Sequence, residues 1–218
     1  MMRVLKGKQD RISAGKLFLL MLYHPLEAYD ILKMERERKG LILPAVLLLL
    51  LASFEKYANN FAVGFQFRGR DLNDVSLLVE LAYVIIPVVV WVVSNFCMTS
   101  IMGGESKPKE IFITACYCLA PYIVLTPVSA ALSHILGASE AGLYTFLQSF
   151  ALIWVVILLF MALLRQNNYG FAQALGITFL CIAFMLVLAA VVVFLIALTM
   201  QLTSALGDVF TEFQRKVL

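Results

Sequence analysis

Five apolar runs, each approaching or exceeding the length of a bilayer crossing, constrain this chain more than any other feature. A hydrocarbon core about 30 Å thick takes roughly 20 residues of helix, and a helix satisfies its own backbone polar groups where no water can. The runs cover about Leu41 to Tyr57, Leu77 to Met102, Ile111 to Leu136, Leu143 to Leu164 and Phe171 to Thr203. The first is uninterrupted only to Phe54, which places Glu55 and Lys56 at an interface. The fifth outruns a single crossing and implies tilt or an extension beyond the lipid. Composition agrees, with 14% charged residues against about 25% in a soluble domain. The expectation is an all-α, polytopic integral membrane protein with five transmembrane helices. Residues 1–40 form a cytoplasmic segment with an amphipathic helix, 41–203 the spanning domain and 204–218 an amphipathic, extracytoplasmic tail.

Lysine and arginine set the orientation. With the N-terminus inside, twelve fall on the cytoplasmic side, including Lys33, Arg36, Arg38, Lys39, Lys107, Lys109 and Arg165, and five on the other. This excess predicts a cytoplasmic N-terminus and, after five spans, an external C-terminus. The apolar stretch Leu17 to Tyr23 is short and runs into His24 and Pro25 with no small-residue cleavage site, so it is expected to be retained. After it, Leu26, Tyr29, Leu32 or Lys33, and Arg36 recur at spacings of three and four, which predicts a short helix on the cytoplasmic surface begun by Pro25. Leu206, Val209, Phe210, Phe213 and Val217 predict a second surface helix from Ala205.

No pattern of catalytic chemistry stands out. Ser133 and His134 are chain neighbours, and neighbours on a helix point about 100° apart, which suits interface residues better than a nucleophile and its base. Gly103 and Gly104 precede Lys107 without phosphate-loop spacing, so nucleotide binding is not expected. Cys97, Cys116, Cys118 and Cys181 all lie in apolar runs, where small packing residues belong, and no cofactor or metal is implied. A net charge of +3 gives no footprint for nucleic acid. Asn95, Pro121 and Pro127 lie inside spans two and three. The prolines free backbone carbonyls and Asn95 can supply hydrogen bonds, so interhelical packing is expected of all three. Exposure of broken backbone to a solute is the alternative. Glu35, Arg36, Glu37, Arg38 and Lys39, with Glu105, Lys107 and Lys109, make the candidate cytoplasmic surface for a partner.

Several segments, in order, resemble the bacterial branch of the Yip/Yif family of five-span membrane proteins. They include His24-Pro25-Leu26-Glu27-Ala28-Tyr29, Trp91 to Phe96, Gly103-Gly104-Glu105, Ala115 to Tyr122, Leu125-Thr126-Pro127, Ser133-His134 and Asn168-Tyr169-Gly170-Phe171. The resemblance implies a bacterial plasma-membrane protein without an established reaction, an accessory component that partners other membrane subunits, such as those of carbohydrate ABC importers. The D-L-Y-G-P segment of the eukaryotic, GTPase-binding branch is missing, so GTPase binding is not carried over.

The charge asymmetry makes a testable statement. Single cysteines placed in each loop of a cysteine-free variant, with intact cells treated with an impermeant maleimide, should label near Arg70 and not near Lys107; the reverse pattern would invert the orientation.

Overall fold

Helices make up every regular element of any length in the computed structural model, which describes residues 13–35, 39–68 and 75–217. They are α1 (Ala14–Tyr23), α2 (Pro25–Met34), α3 (Ile42–Ala62), α4 (Leu77–Ile101), α5 (Pro108–Cys118), α6 (Ala120–Leu132), α7 (Ala141–Asn167) and α8 (Phe171–Val217). Five segments are long and apolar enough to cross a membrane: α3, α4, α5 with α6, α7, and α8 as far as Ser204. The chain is an all-α, multi-pass membrane protein. Because successive spans alternate in direction, one end of the bundle gathers α2, the α4–α5 loop and the α7–α8 loop; we call it the α2 end. The far end gathers the α3–α4 and α6–α7 connections.

The third span is the hub. Of its apolar stretch 67% is buried, against 6 to 28% for the other four, and every residue from Ile113 to Tyr122 is buried. Thr114, Ala115, Cys116, Cys118 and Ala120 are small enough for neighbouring helices to come close, the usual device of membrane interfaces. Cys116, Cys118 and Cys181 are buried and Cys97 is partly buried, and all four are free thiols. The span breaks at Leu119 because Pro121 has no N–H to give the carbonyl four residues earlier. The Leu119 N–H turns back in a tighter turn to the Cys116 carbonyl at 3.2 Å.

Several boundaries differ from the sequence expectation. The third span ends at Leu132, not Leu136, because Ser133 and His134 tie the ends of α6 and α3 together. Ser133 Oγ donates to the Ala130 carbonyl at 2.6 Å and accepts the Gly64 N–H at 2.8 Å, while His134 Nε2 stands 2.8 Å from the Ala62 carbonyl. Glu55 and Lys56 sit within α3, which runs on to Ala62, and not at its end. The separate C-terminal helix from Ala205 is instead a continuation of α8, an unbroken helix of 47 residues. No proline interrupts it, and Gly207 alone costs a helix only about 1 kcal/mol.

The N-terminal segment does not simply lie on the surface. α1 precedes α2, and the two turn about His24 so that Leu17, Met21, Ala28, Tyr29 and Leu32 enter the same core cluster as Ala45, Leu49, Cys118 and Leu158. Leu26, expected on the apolar face, is 44% exposed; the buried stripe of α2 runs through Ala28, Tyr29 and Leu32. The Tyr29 hydroxyl donates to the Leu158 carbonyl at 2.7 Å and lies 3.7 Å from Cys118 Sγ, one residue before the break. Leu158 is nine residues from the end of α7, or about 14 Å along it, so α2 reaches well into the bundle. Burial pushes the Tyr29 phenol far above its ordinary pKa, and Cys118 adds to the rise. It is neutral at any physiological pH.

Tyr29→Phe keeps the ring and loses one hydrogen bond, about 1 kcal/mol, so Tm in detergent should fall by about 2–4 °C. Tyr29→Ala also leaves a cavity, about 3–5 kcal/mol, and should lower Tm several times further. Equal, negligible shifts would mean that α2 is not docked in solution.

Candidate functional site

The α2 end is built from two helix endings of the same kind. α4 ends with Gly103 at φ +72°, and the Gly104 N–H returns to the Thr99 carbonyl at 2.7 Å. α7 ends with Asn168 at φ +55°, and the Tyr169 N–H returns to the Leu164 carbonyl at 3.1 Å. Both are Schellman closures, which need a left-handed residue after the last turn; glycine adopts it freely and asparagine is the next most tolerant. The α4–α5 loop (102–107) and the α7–α8 loop (168–170) thereby lie side by side.

Asn167 joins them. Its Oδ1 accepts the N–H groups of Glu105 at 3.1 Å and Ser106 at 3.2 Å, while its Nδ2 donates to the Leu163 carbonyl at 3.1 Å. Gly104 lies against this junction so closely that a Cβ there would stand 2.5 Å from Tyr169 Oη, 2.8 Å from Asn167 Oδ1 and 2.8 Å from Thr99 Cβ. Tyr169 is buried, its hydroxyl makes no hydrogen bond among the described residues, and burial raises its pKa, with Cys181 adding. α5 then starts at Pro108, with Glu110 accepting the Lys107 N–H at 3.4 Å.

α2 closes the same face. Lys33 Nζ donates to Asn168 Oδ1 at 2.7 Å, and Arg165 approaches Asp30 at 4.0 Å. The second contact is half exposed on both sides and contributes little energy, but with the first it holds α2 in register on α7. Deeper, the Gln166 side chain hydrogen-bonds Thr114. The C-terminal part of α2 around Asp30 and Lys33, the Gly103-Gly104-Glu105 turn and the Asn168-Tyr169-Gly170 turn, far apart in sequence, thus meet at one end of the bundle. Asn167 and Lys33 are the keystones that sequence reasoning missed. Neither belongs to a charge cluster, and only the pairing of the two loops reveals Asn167.

The expected partner-surface residues lie around this junction. Glu105 and Lys107 are exposed, and Glu35 and Lys109 are partly exposed. Lys39 begins the turn into α3, and Arg36, Glu37 and Arg38 lie outside the described residues. The expected packing residues separate. Pro121 is buried at the break, whereas Pro127 is exposed on α6. Asn95 is buried at 4% exposure, and its Oδ1 accepts no hydrogen bond among the described residues.

A family model described as the Yip1 domain matches residues 19–199, which takes in α2, both loops and all five spanning segments up to most of α8. No curated protein and no solved structure gives a match.

Gly104 offers a direct test of the junction. Gly104→Ala should cost about 1–3 kcal/mol through overpacking, a fall of about 2–10 °C in Tm. Tyr169→Phe, which removes the crowding hydroxyl, should be neutral alone and should recover part of that loss in the double variant. Purely additive effects would show that the two loops do not touch.

Proposed function

The chain belongs to the Yip1 domain family, and on that premise we propose that it is a non-enzymatic scaffold for other membrane subunits, docking them at the α2 end. One feature supports this above the rest: three separate segments are locked into a single charged face by Asn167, Lys33 and two Schellman turns, while the spans behind it serve packing. A preorganised face binds without the entropy cost of ordering its loops. Its mixed charges, Glu35, Glu105, Lys107 and Lys109, with Arg36, Glu37, Arg38 and Lys39 beside them in the chain, favour selection among partners and fast encounter over raw affinity. The lysine and arginine excess at this end supports a cytoplasmic orientation in a plasma membrane. A bacterial host and a carbohydrate ABC importer as the partner complex fit the sequence resemblance.

The break at Leu119 and Pro121 favours a second reading, a small-molecule transporter or channel working at the third span. The two differ in what the purified protein does alone.

A Glu105→Lys, Lys107→Glu exchange reverses the local charge pattern while leaving net charge, and so topology, unchanged. Affinity purification in mild detergent followed by mass spectrometry should recover a defined set of membrane subunits with the wild type and at least about tenfold less with the exchange variant. A wild type that emerges alone and conducts solute flux in vesicles would replace the scaffold with the transporter.

A further inference from the structure

α1 and α2 form a hairpin that enters the membrane at the α2 end and turns back inside it. Lys33 Nζ donates to Asn168 Oδ1 at 2.7 Å, just past the close of α7, while one turn earlier the Tyr29 hydroxyl reaches the Leu158 carbonyl, ten residues deeper. α2 therefore points inward toward its own N-terminus. α1 accompanies it: Gly15 and Phe18 share an apolar cleft with Pro44, Leu47 and Leu51 of α3 and with Tyr117, and the helix packs against both α5 and α6, on either side of the break. Counted from Lys33 at about 1.5 Å per residue, Glu27 lies about 9 Å and the turn at His24 about 13 Å further in. The hydrocarbon core is about 30 Å thick, so the turn stands well inside it.

Two ionisable side chains at this turn have nothing to answer them. His24 and Glu27 are both exposed, and neither side chain makes a hydrogen bond or ion pair among the described residues. The other charges of α2 are engaged, Lys33 with Asn168 and Asp30 with Arg165 at 4.0 Å. Lys16 of α1 is exposed but lies eight residues before His24, about 12 Å back along the helix. A helix N-terminus favours a carboxylate in its first turn, by less than lipid penalises one.

We propose that this turn is the contact between two copies of the chain, in which the imidazole of His24 meets the carboxylate of Glu27 from the second copy, and the reverse. Copies inserted in the same direction are related by a two-fold axis along the membrane normal, so equal depths meet and the interface is self-complementary. His24 and Glu27 differ in depth by about 4.5 Å, within the reach of their side chains. One contact, repeated by symmetry, thus answers all four groups, and a neutral imidazole still has an N–H to donate. Tyr23, 78% exposed, and Leu26, 44% exposed, flank the pair and supply apolar surface for close packing. A foreign helix would need an acid and a base of its own at matching depths, whereas a second copy carries both. The turn is separate from the charged loops of the α2 end, so the inference holds whichever subunits those loops recruit.

Cross-linking in native membranes tests the contact. In a cysteine-free background, Tyr23→Cys should oxidise to a covalent dimer with copper phenanthroline, whereas Phe146→Cys, exposed on α7 near the far end, should not. Added to Tyr23→Cys, Glu27→Lys sets cations together and His24→Glu sets carboxylates together, and each should lower the dimer yield at least about fivefold. Co-expressed with tags of different mass, these two variants should cross-link to each other at the original yield, since each supplies the charge that the other lacks; an ion pair within one chain would give no such rescue. Should either variant fail to fold, Glu27→Gln and His24→Leu remove the pair without adding charge and should lower the yield as well. No dimer from Tyr23→Cys, single variants that dimerise as before, or no rescue in the mixture would overturn the proposal. So would a Glu27→Cys thiol that reacts with an impermeant maleimide in open membranes as fast as Lys107→Cys, which would place the turn in water.

Discussion

The close approach of neighbouring helices to the third span is the contact on which the rest of the molecule depends. Ten consecutive buried residues, Ile113 to Tyr122, form the surface that α3, α4 and α7 share, and α1 and α2 dock on it as well. Inside a membrane no hydrophobic gain drives helices together, since lipid is as apolar as the side chains; van der Waals fit and occasional hydrogen bonds do the work. Small side chains at 114, 115, 116, 118 and 120 permit that fit. They also explain why Pro121 is tolerated at the centre: the distorted turn is enclosed by protein, and the Tyr29 hydroxyl anchors α2 beside it.

The two ends of the bundle follow different physics. At the α2 end, left-handed closures at Gly103 and Asn168 shorten the loops until their backbones meet, and one asparagine amide satisfies two N–H groups that would otherwise be left unpaired. At the far end, Ser133 and His134 perform a comparable service for the end of α3, with side-chain oxygen and ring nitrogen meeting backbone groups. Residues that resemble a nucleophile and base in sequence are thus structural ties between helix ends.

How much was legible in the chain varies with the physical origin of each feature. Span positions follow from local hydropathy, and the observed helices agree with the sequence to within a few residues, apart from the shortened third span and the unbroken α8. The charged surroundings of the α2 end were visible as Glu105, Lys107 and Lys109, because charge excluded from lipid must collect at an end. Asn167 was not visible, since a lone asparagine after Arg165 and Gln166 resembles any polar helix ending. The two prolines of the third span look equivalent in sequence, yet Pro121 is buried and Pro127 exposed; rotation about the helix axis after the break separates them.

By itself the sequence determined that the chain is helical, that it lies in a membrane and how its charge is distributed, because these depend on each segment's exchange between water and lipid and on nothing else in the molecule. Tertiary structure alone decided that α1 and α2 turn inward to join the core, and that Gly104 must be bare beneath Tyr169. Each of these is a relation between helices. Lipid offers no solvent penalty that distinguishes one apolar helix face from another, so only packing chooses which faces meet.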